Sequence, residues 1–515
     1  MQFFNIKIVD YFNRITSFRK HIKIINRSWL ILFCMVCSFG FAEADQVNLD
    51  SLQNVLATNT NDSFRMEAAA EIARFYSDAQ QSDSIAKYFD KAAEIAQKSG
   101  YLERIAKFVR EQGYYFYLGG HKELAYLYID SARAISRSAQ DTHGLITCHI
   151  HMGRIAQKFG DHPIGIAELR AGIVVCKEAN DKQSEGVMLN DMSMLYAQLA
   201  DNETAIELLL QAVKVREEIE DPFVATTYTN LGNAYKREEN YAEALIWYQK
   251  ALDLLNTERT RRNRIICLRN MGDTYTRMGR ISEAKVKLKE SFNVNAKISY
   301  GERNLAMYHF LMGDVYRKEN QLDSAQYSYL DALRLLREVN DTRFQISSMV
   351  KLSQIEMERA ENDPRTKNVL LTSATNYGED ALTLAQKTNS LEQINNAAQI
   401  LMKVYGASNN ASKAIINADL YGTTLDSLKR IESSKRVVAL QTKFEVERKE
   451  LEITNLNQKT EAQKQSLEQS LKLQESQQTI ILLLVVGLLG FLALLIWIYR
   501  IYIQKKRANT LLEVK

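Results

Sequence analysis

Bulky and small residues recur along most of this chain with a helical period. Tyr228, Leu231-Gly232 and Tyr235 fall on one helix face, and the glycine beside Leu231 leaves a hollow where another helix can approach. Ala244, Tyr248 and Ala251 follow as small, large, small at i, i+4 and i+7, again one face. The pair then repeats: Leu268, Met271-Gly272, Tyr275 with Ala284, Leu288, Ser291, and His309, Met312-Gly313, Tyr316 with Ala325, Tyr329, Ala332. Upstream the same frame holds Leu189, Met192-Ser193, Tyr196 with Ala205, Leu209, Ala212. A fixed period of about forty residues predicts stacked supersecondary units rather than one globular core.

Between the blocks lie turn-prone tips such as Leu118-Gly-Gly-His-Lys, Phe159-Gly-Asp-His-Pro163 and Met278-Gly-Arg. Each unit is therefore expected to be a helical hairpin whose apolar face is covered only by the next hairpin. Weaker copies extend the array. They begin at Ala69, Ile72-Ala73, Tyr76, at Val109, Gln112-Gly113, Phe116, and at His149, Met152-Gly153, Ala156. Two more begin at Met349, Leu352-Ser353, Glu356 and at Ala398, Leu401-Met402, Tyr405. That makes about nine units, the weakest at the ends, with an insertion around Pro364 expected in the tip of the eighth. With three prolines in 515 residues and no alternating apolar pattern, the expected class is all-α.

The paired blocks resemble the tetratricopeptide repeat: a bulky residue, Leu-Gly and Tyr on the first helix, then Ala, an aromatic or Leu, and Ala on the second. The period is longer than is usual for that family, which implies longer helices or longer turns. The resemblance implies that the first helices line a groove taking an extended peptide or protein partner. It points to Asn190, Asn233, Lys236, Arg237, Arg269, Asp273, Arg277, Asp314, Arg317 and Lys318 as groove residues. Several belong to a cationic ladder: Lys158, Arg237, Arg277 and Lys318 stand two residues after the aromatic slot, with Lys236 and Arg317 beside them. Guanidinium and ammonium groups there suit carboxylates. Cations near helix C-termini also stabilise the helix dipole, so ligand binding and plain capping are both open at this point.

The ends of the chain read differently. Basic residues from Lys7 to Arg27 precede an apolar run, Trp29 to Phe41, and then Ala42-Glu-Ala44, a small-x-small cleavage site. This predicts a secretory signal peptide over residues 1–44, the alternative being an uncleaved anchor. Repeats are expected over 45–422. Residues 423–478 have neither glycine nor proline, and Val437, Leu440, Phe444 and Leu451 form a partial heptad seam. They predict one long helix, either paired with a second copy as a coiled coil and homodimer or single and solvated. Ile480 to Tyr499 is an unbroken apolar run, so a membrane span is expected over 479–503. Trp497, Tyr499 and Tyr502, with Arg500, Lys505, Lys506 and Arg507, put that end on the cytoplasmic side, leaving a short tail over 504–515.

Composition narrows the function. A formal charge of +4 spread over this length gives no basic domain of the kind that binds nucleic acid. No phosphate-cradling loop, G-x-S-x-G or H-E-x-x-H occurs, so neither an enzyme nor a cofactor is expected. Cys148, Cys176 and Cys267 are too few and too scattered for a disulfide framework and are expected to be buried. His143, Cys148, His149, His151 and His162 cluster in the third unit. His149 and His151 are two apart and face nearly opposite ways on a helix, so no metal site is expected. Taken whole, the order of elements is similar to the sensory half of bacterial membrane receptors with external tetratricopeptide repeats, which feed a histidine kinase or a helix-turn-helix regulator. The expected function is a membrane-anchored periplasmic scaffold in signal sensing. A structural adaptor for envelope protein assembly and a truncated kinase or regulator are the alternatives.

Overall fold

The computed structural model describes residues 41–78, 82–295 and 301–512. The expected signal peptide, with Cys34 and Cys37, lies almost entirely outside them. All the described elements are α-helices. A leading helix α1 (Phe41–Thr58) is followed by hairpins α2 (Asp62–Asp78) with α3 (Ser82–Lys98), α4 (Leu102–Gly119) with α5 (Lys122–Ser138), and α6 (Thr142–Phe159) with α7 (His162–Glu178). Next come α8 (Lys182–Gln198) with α9 (Asn202–Glu218), α10 (Val224–Arg237) with α11 (Tyr241–Leu254), and α12 (Arg261–Arg277) with α13 (Ile281–Asn295). The last are α14 (Glu302–Lys318) with α15 (Leu322–Glu338), α16 (Thr342–Asn362) with α17 (Lys367–Lys387), and α18 (Leu391–Ala407) with the start of α19 (Ala411–Leu512). Among the described residues this is an α-solenoid of nine hairpins, as the period implies.

The turns are written locally. At several of them a residue takes a left-handed conformation and the next is an Asp N-cap. Gln140, Asn180, Ala200 and Asn340 have φ of 54°, 54°, 60° and 53°. Asp141, Asp181, Asp201 and Asp341 then accept from the backbone N–H three residues on, at 2.8, 3.0, 3.1 and 3.4 Å. The first group ends one helix by recapturing its last carbonyls, and the second starts the next helix. The long period is met in two ways. Helices α6 and α7 run 18 and 17 residues with a short turn, whereas α10 and α11 have only 14 each and a loop at 255–260 restores the spacing. In the eighth hairpin α16 and α17 lengthen to 21 residues each, and the insertion is the tight turn at 363–366.

The core confirms that no hairpin is self-sufficient. One cluster joins Leu209 and Val213 of α9, Tyr228 and Leu231 of α10, Tyr248 of α11, and Cys267, Leu268 and Met271 of α12. Another joins Phe310, Tyr329, Leu336, Met349, Ile355 and Ala397, from α14 to α18. The small slots are filled as their spacing implies. A Cβ on Gly232 would stand 2.5 Å from Tyr248 Cε1, and one on Gly313 2.6 Å from Tyr329 Cε1, so both rings seat directly on the first-helix backbone. Cys148, Cys176 and Cys267 are free thiols, all buried.

The chain divides into two units, Met1–Arg436 and Val437–Lys515. The second is the remainder of α19. Its described side chains from 454 to 500 are all exposed, including the run from Ile480 to Tyr499. That helix is long and apolar enough to cross a membrane.

Candidate functional site

First helices of successive hairpins touch one another: α4 meets α6, α6 meets α8, α10 meets α12, α12 meets α14 and α16 meets α18. Among the described residues no second helix approaches the next second helix to the same degree, so the first helices form the inner side of the stack. The ten groove residues expected from the sequence all lie on them.

Most of these residues are already engaged, and in a regular way. A polar seam crosses from one first helix to the next, between residues 37 apart. Arg74 Nη2 reaches Glu111 Oε2 at 2.6 Å, Arg154 Nε reaches Asp191 Oδ2 at 2.8 Å, and Asn270 Nδ2 donates to Asn233 Oδ1 at 2.9 Å. Lys236 Nζ donates to Asp273 Oδ2 at 2.9 Å, and Lys351 Nζ to Asp314 Oδ1 at 2.9 Å. Between α4 and α6 the same offset brings Tyr114 edge-on to His151, with ring centroids 5.0 Å apart. Asn230 Nδ2 also donates to Asn190 Oδ1, at 2.9 Å. Second helices brace the seam from behind: Tyr248 donates its hydroxyl to Asn233 Oδ1 at 2.7 Å, and Tyr329 donates to Asp314 Oδ1 at 2.8 Å. Burial holds both phenols far above their usual pKa.

The cationic ladder therefore does not act as one set. Lys158 donates to the Tyr117 and Leu118 carbonyls at the end of α4, at 2.5 and 3.0 Å, and so caps a neighbouring helix. Arg277 donates through Nε to Asp273 Oδ1 at 3.1 Å, and Arg317 Nη1 reaches Glu358 Oε1 at 3.1 Å. Arg237 is exposed beside Glu238, while Lys318 is exposed and meets no carboxylate among the described residues. Arg269 is half-buried and meets none either. Burial first, and the Arg303 charge second, disfavour its charged form. His151 is half-buried, close to Arg110 and Arg154; desolvation, then those two charges, push its pKa down to about 4. His149 is engaged elsewhere, its Nδ1 lying 2.8 Å from Glu168 Oε2, a carboxylate that Arg133 also holds. Among the described residues no group of three or more possible metal ligands comes together.

Sequence reasoning missed Arg154, Asp191, Asn230, Asn270 and Lys351, which complete the seam. The signal was present as the constant offset between facing polar residues on consecutive first helices.

The tetratricopeptide repeat family matches this chain over residues 184–257 and 223–297. No curated protein matches it. Among solved structures it is similar to the apo form of RapI, at 13% identity, over 54% of this chain and 99% of that one, with a TM-score of 0.41. It is also similar to a signal-transduction ATPase with a tetratricopeptide repeat sensor from Pyrococcus horikoshii, at 17% identity, over 73% of this chain and 55% of that one, with a TM-score of 0.48. A third is the APC/C hetero-tetramer Cut9–Hcn1, at 13% identity, over 77% of this chain and 82% of that one, with a TM-score of 0.37. The match covers the fourth to sixth hairpins, and the tetratricopeptide repeat is a protein-interaction scaffold fold.

Proposed function

We propose that this protein is a membrane-anchored scaffold whose repeats stand in the periplasm, bind a peptide or protein along the first helices, and take part in signal sensing. The observation that carries this reading is the continuity of α19. The helix that closes the ninth hairpin is the same one whose later part is the apolar span, from Ala411 to Leu512. A ligand that alters the repeats thus has one covalent, helical path toward the membrane. Arg500, Lys505, Lys506 and Arg507 after the span favour a cytoplasmic C-terminal side, and a signal peptide over residues 1–44 supports export of the repeats. Repeats over 45–422, a connecting helix over 423–478, a span over 479–503 and a tail over 504–515 follow from the same reading. The exposed stripe Val437, Leu440, Phe444 and Leu451 suits pairing of two copies.

A second reading, a structural adaptor that passes no signal, is favoured by the polar seam, which spends most of the groove's hydrogen-bonding groups on holding repeat to repeat. The two readings part when the tail is clipped after Arg500. A sensor keeps its ligand and loses its downstream response, whereas an adaptor loses neither. Topology is tested in spheroplasts with an epitope tag fused to Lys515. Added protease should digest the repeats and spare the tag; digestion of the tag with the repeats protected refutes the placement.

A further inference from the structure

Among the described residues two carboxyl side chains are buried, Asp221 and Glu356, each 3% exposed. Their surroundings differ. Asp221 has both oxygens served: Oδ2 lies 2.8 Å from Arg216 Nη1, and Oδ1 accepts from the Phe223 backbone N–H at 2.9 Å. Glu356 has one oxygen served. Its Oε1 accepts from Gln326 Nε2 of α15, and its Oε2 meets no donor among the described residues. Arg359, one turn further along α16, is held by Gln326 Oε1 and by Asp323 Oδ1, the latter at 3.0 Å. The position is also out of keeping with the repeat, because Tyr235, Tyr275, Tyr316 and Tyr405 fill the same first-helix slot in other units. An ionised carboxylate with an unserved oxygen is costly in such a place, and a proton removes its charge.

The helices packed around it bring no counter-charge to Glu356. On α14, Arg317 and Asp314 are taken by Glu358 and Lys351. On α15, Asp323 is a like charge. On α17 stands Tyr377, whose hydroxyl is held above its usual pKa by burial and then by the Glu356 charge. On α18, Tyr405 is bonded to Glu379 and Lys413, and Glu392 and Lys403 are exposed. Burial foremost raises the Glu356 pKa above the usual glutamate range; the Arg359 charge works against this and the Asp323 charge adds to it.

From this geometry we infer that the junction of the seventh and eighth hairpins is an acid-sensitive joint, where Glu356 takes up a proton as its surroundings turn acid and α15, α16 and α17 then hold together more firmly. The chain Asp323–Arg359–Gln326–Glu356 ties α15 to α16. With Glu356 ionised it carries two anions and one cation, and with Glu356 protonated it is balanced. The share of stability is therefore complete below the ordinary glutamate pKa of 4.5 and is lost as pH rises through the higher folded value. Helix α16 packs on α18, the partner of α19, so the joint lies one hairpin from the helix that leaves the array. The inference does not depend on what the inner face binds.

The test uses the full chain in detergent micelles and compares it with Glu356→Gln, which keeps an acceptor for Gln326 and cannot ionise. Between pH 5 and pH 8 the difference in thermal midpoint should move in favour of the variant by roughly 2 °C. His151 is present in both proteins and cancels in that difference. Glu338→Gln, at an exposed carboxylate paired with Arg334, should show no such movement. In the unaltered chain, amide hydrogen exchange corrected for its intrinsic pH dependence should show α15 to α17 roughly threefold more protected at pH 5 than at pH 8, relative to α10 and α11. A midpoint difference that is constant with pH, or that moves the other way, overturns the proton uptake. Protection that changes evenly along the array overturns the joint, and this arm holds even if Glu356→Gln fails to fold.

Discussion

The nine hairpins and the helix beyond Val437 use similar apolar residues for opposite ends. In the array Leu231, Tyr248 and Leu268 are 0% exposed, because the next hairpin covers them. In the span Leu483, Leu484 and Leu488 are 66%, 68% and 64% exposed, and nothing within their own unit covers them. Fully burying one such side chain is worth about 1.5–3 kcal/mol, so both regions need cover, and they differ in where it comes from. The array finds it in its own repetition, and the apolar run of α19, long and apolar enough to cross a membrane, finds none within its own unit. The contrast teaches that hydrophobicity alone says little about place in this molecule, whereas its periodicity says a good deal: the array's apolar residues recur at three and four, and the span's run without a break.

Three experiments break or sharpen that contrast. The largest effect should come from Leu484→Arg with Leu488→Arg. At about 3 kcal/mol per charge at a helix centre, the pair should move the protein from the membrane to the soluble fraction. The thermal midpoint of the repeats should stay fixed; a midpoint that falls with it would mean the span is packed as protein core. Next, Gly232→Val forces a branched side chain onto the Tyr248 ring and should cost about 3 kcal/mol of array stability. Membrane fractionation should not change, and chemical denaturation read on far-UV circular dichroism gives the cost. The smallest effect concerns pH. His151 is held at about 4 in the folded array against an ordinary 6.5, so folding excludes its proton. Its stabilising share is complete above about pH 6.5 and is lost as pH falls toward 4, amounting to about 2 kcal/mol after allowance for partial exposure. His151→Gln should flatten the midpoint-against-pH curve in that window; an unchanged slope would place the titrating group elsewhere. The helix beyond Val437 has no histidine and should show no such slope.

Much of the fold was legible because its information is local. The small slots opposite large ones, such as Gly232 with Tyr248, announced both the hairpin and its inner contact. The turn-prone tips Leu118-Gly-Gly-His-Lys and Met278-Gly-Arg marked where helices stop and start. The groove was legible only in part. Asn233, Lys236, Asp273 and Asp314 lie on first helices, but their partners Asn270, Tyr248, Tyr329 and Lys351 lie fifteen or 37 residues away. A ladder that looks uniform in sequence is divided in space: Lys158 caps a helix, Arg277 and Arg317 are neutralised, and Arg237 and Lys318 stay exposed. Burial and neighbouring charge made that division, and neither is visible from residue type.

By itself the sequence determined the helical class, the hairpin unit, its roughly ninefold repetition and the single long apolar run near Lys515, because each depends on spacing along one helix. Tertiary structure alone decided which polar groups meet across the stack. Pairing between helices depends on how one hairpin settles on the next, a distance of a few ångströms set by the packing of rings and glycines rather than by the order of residues.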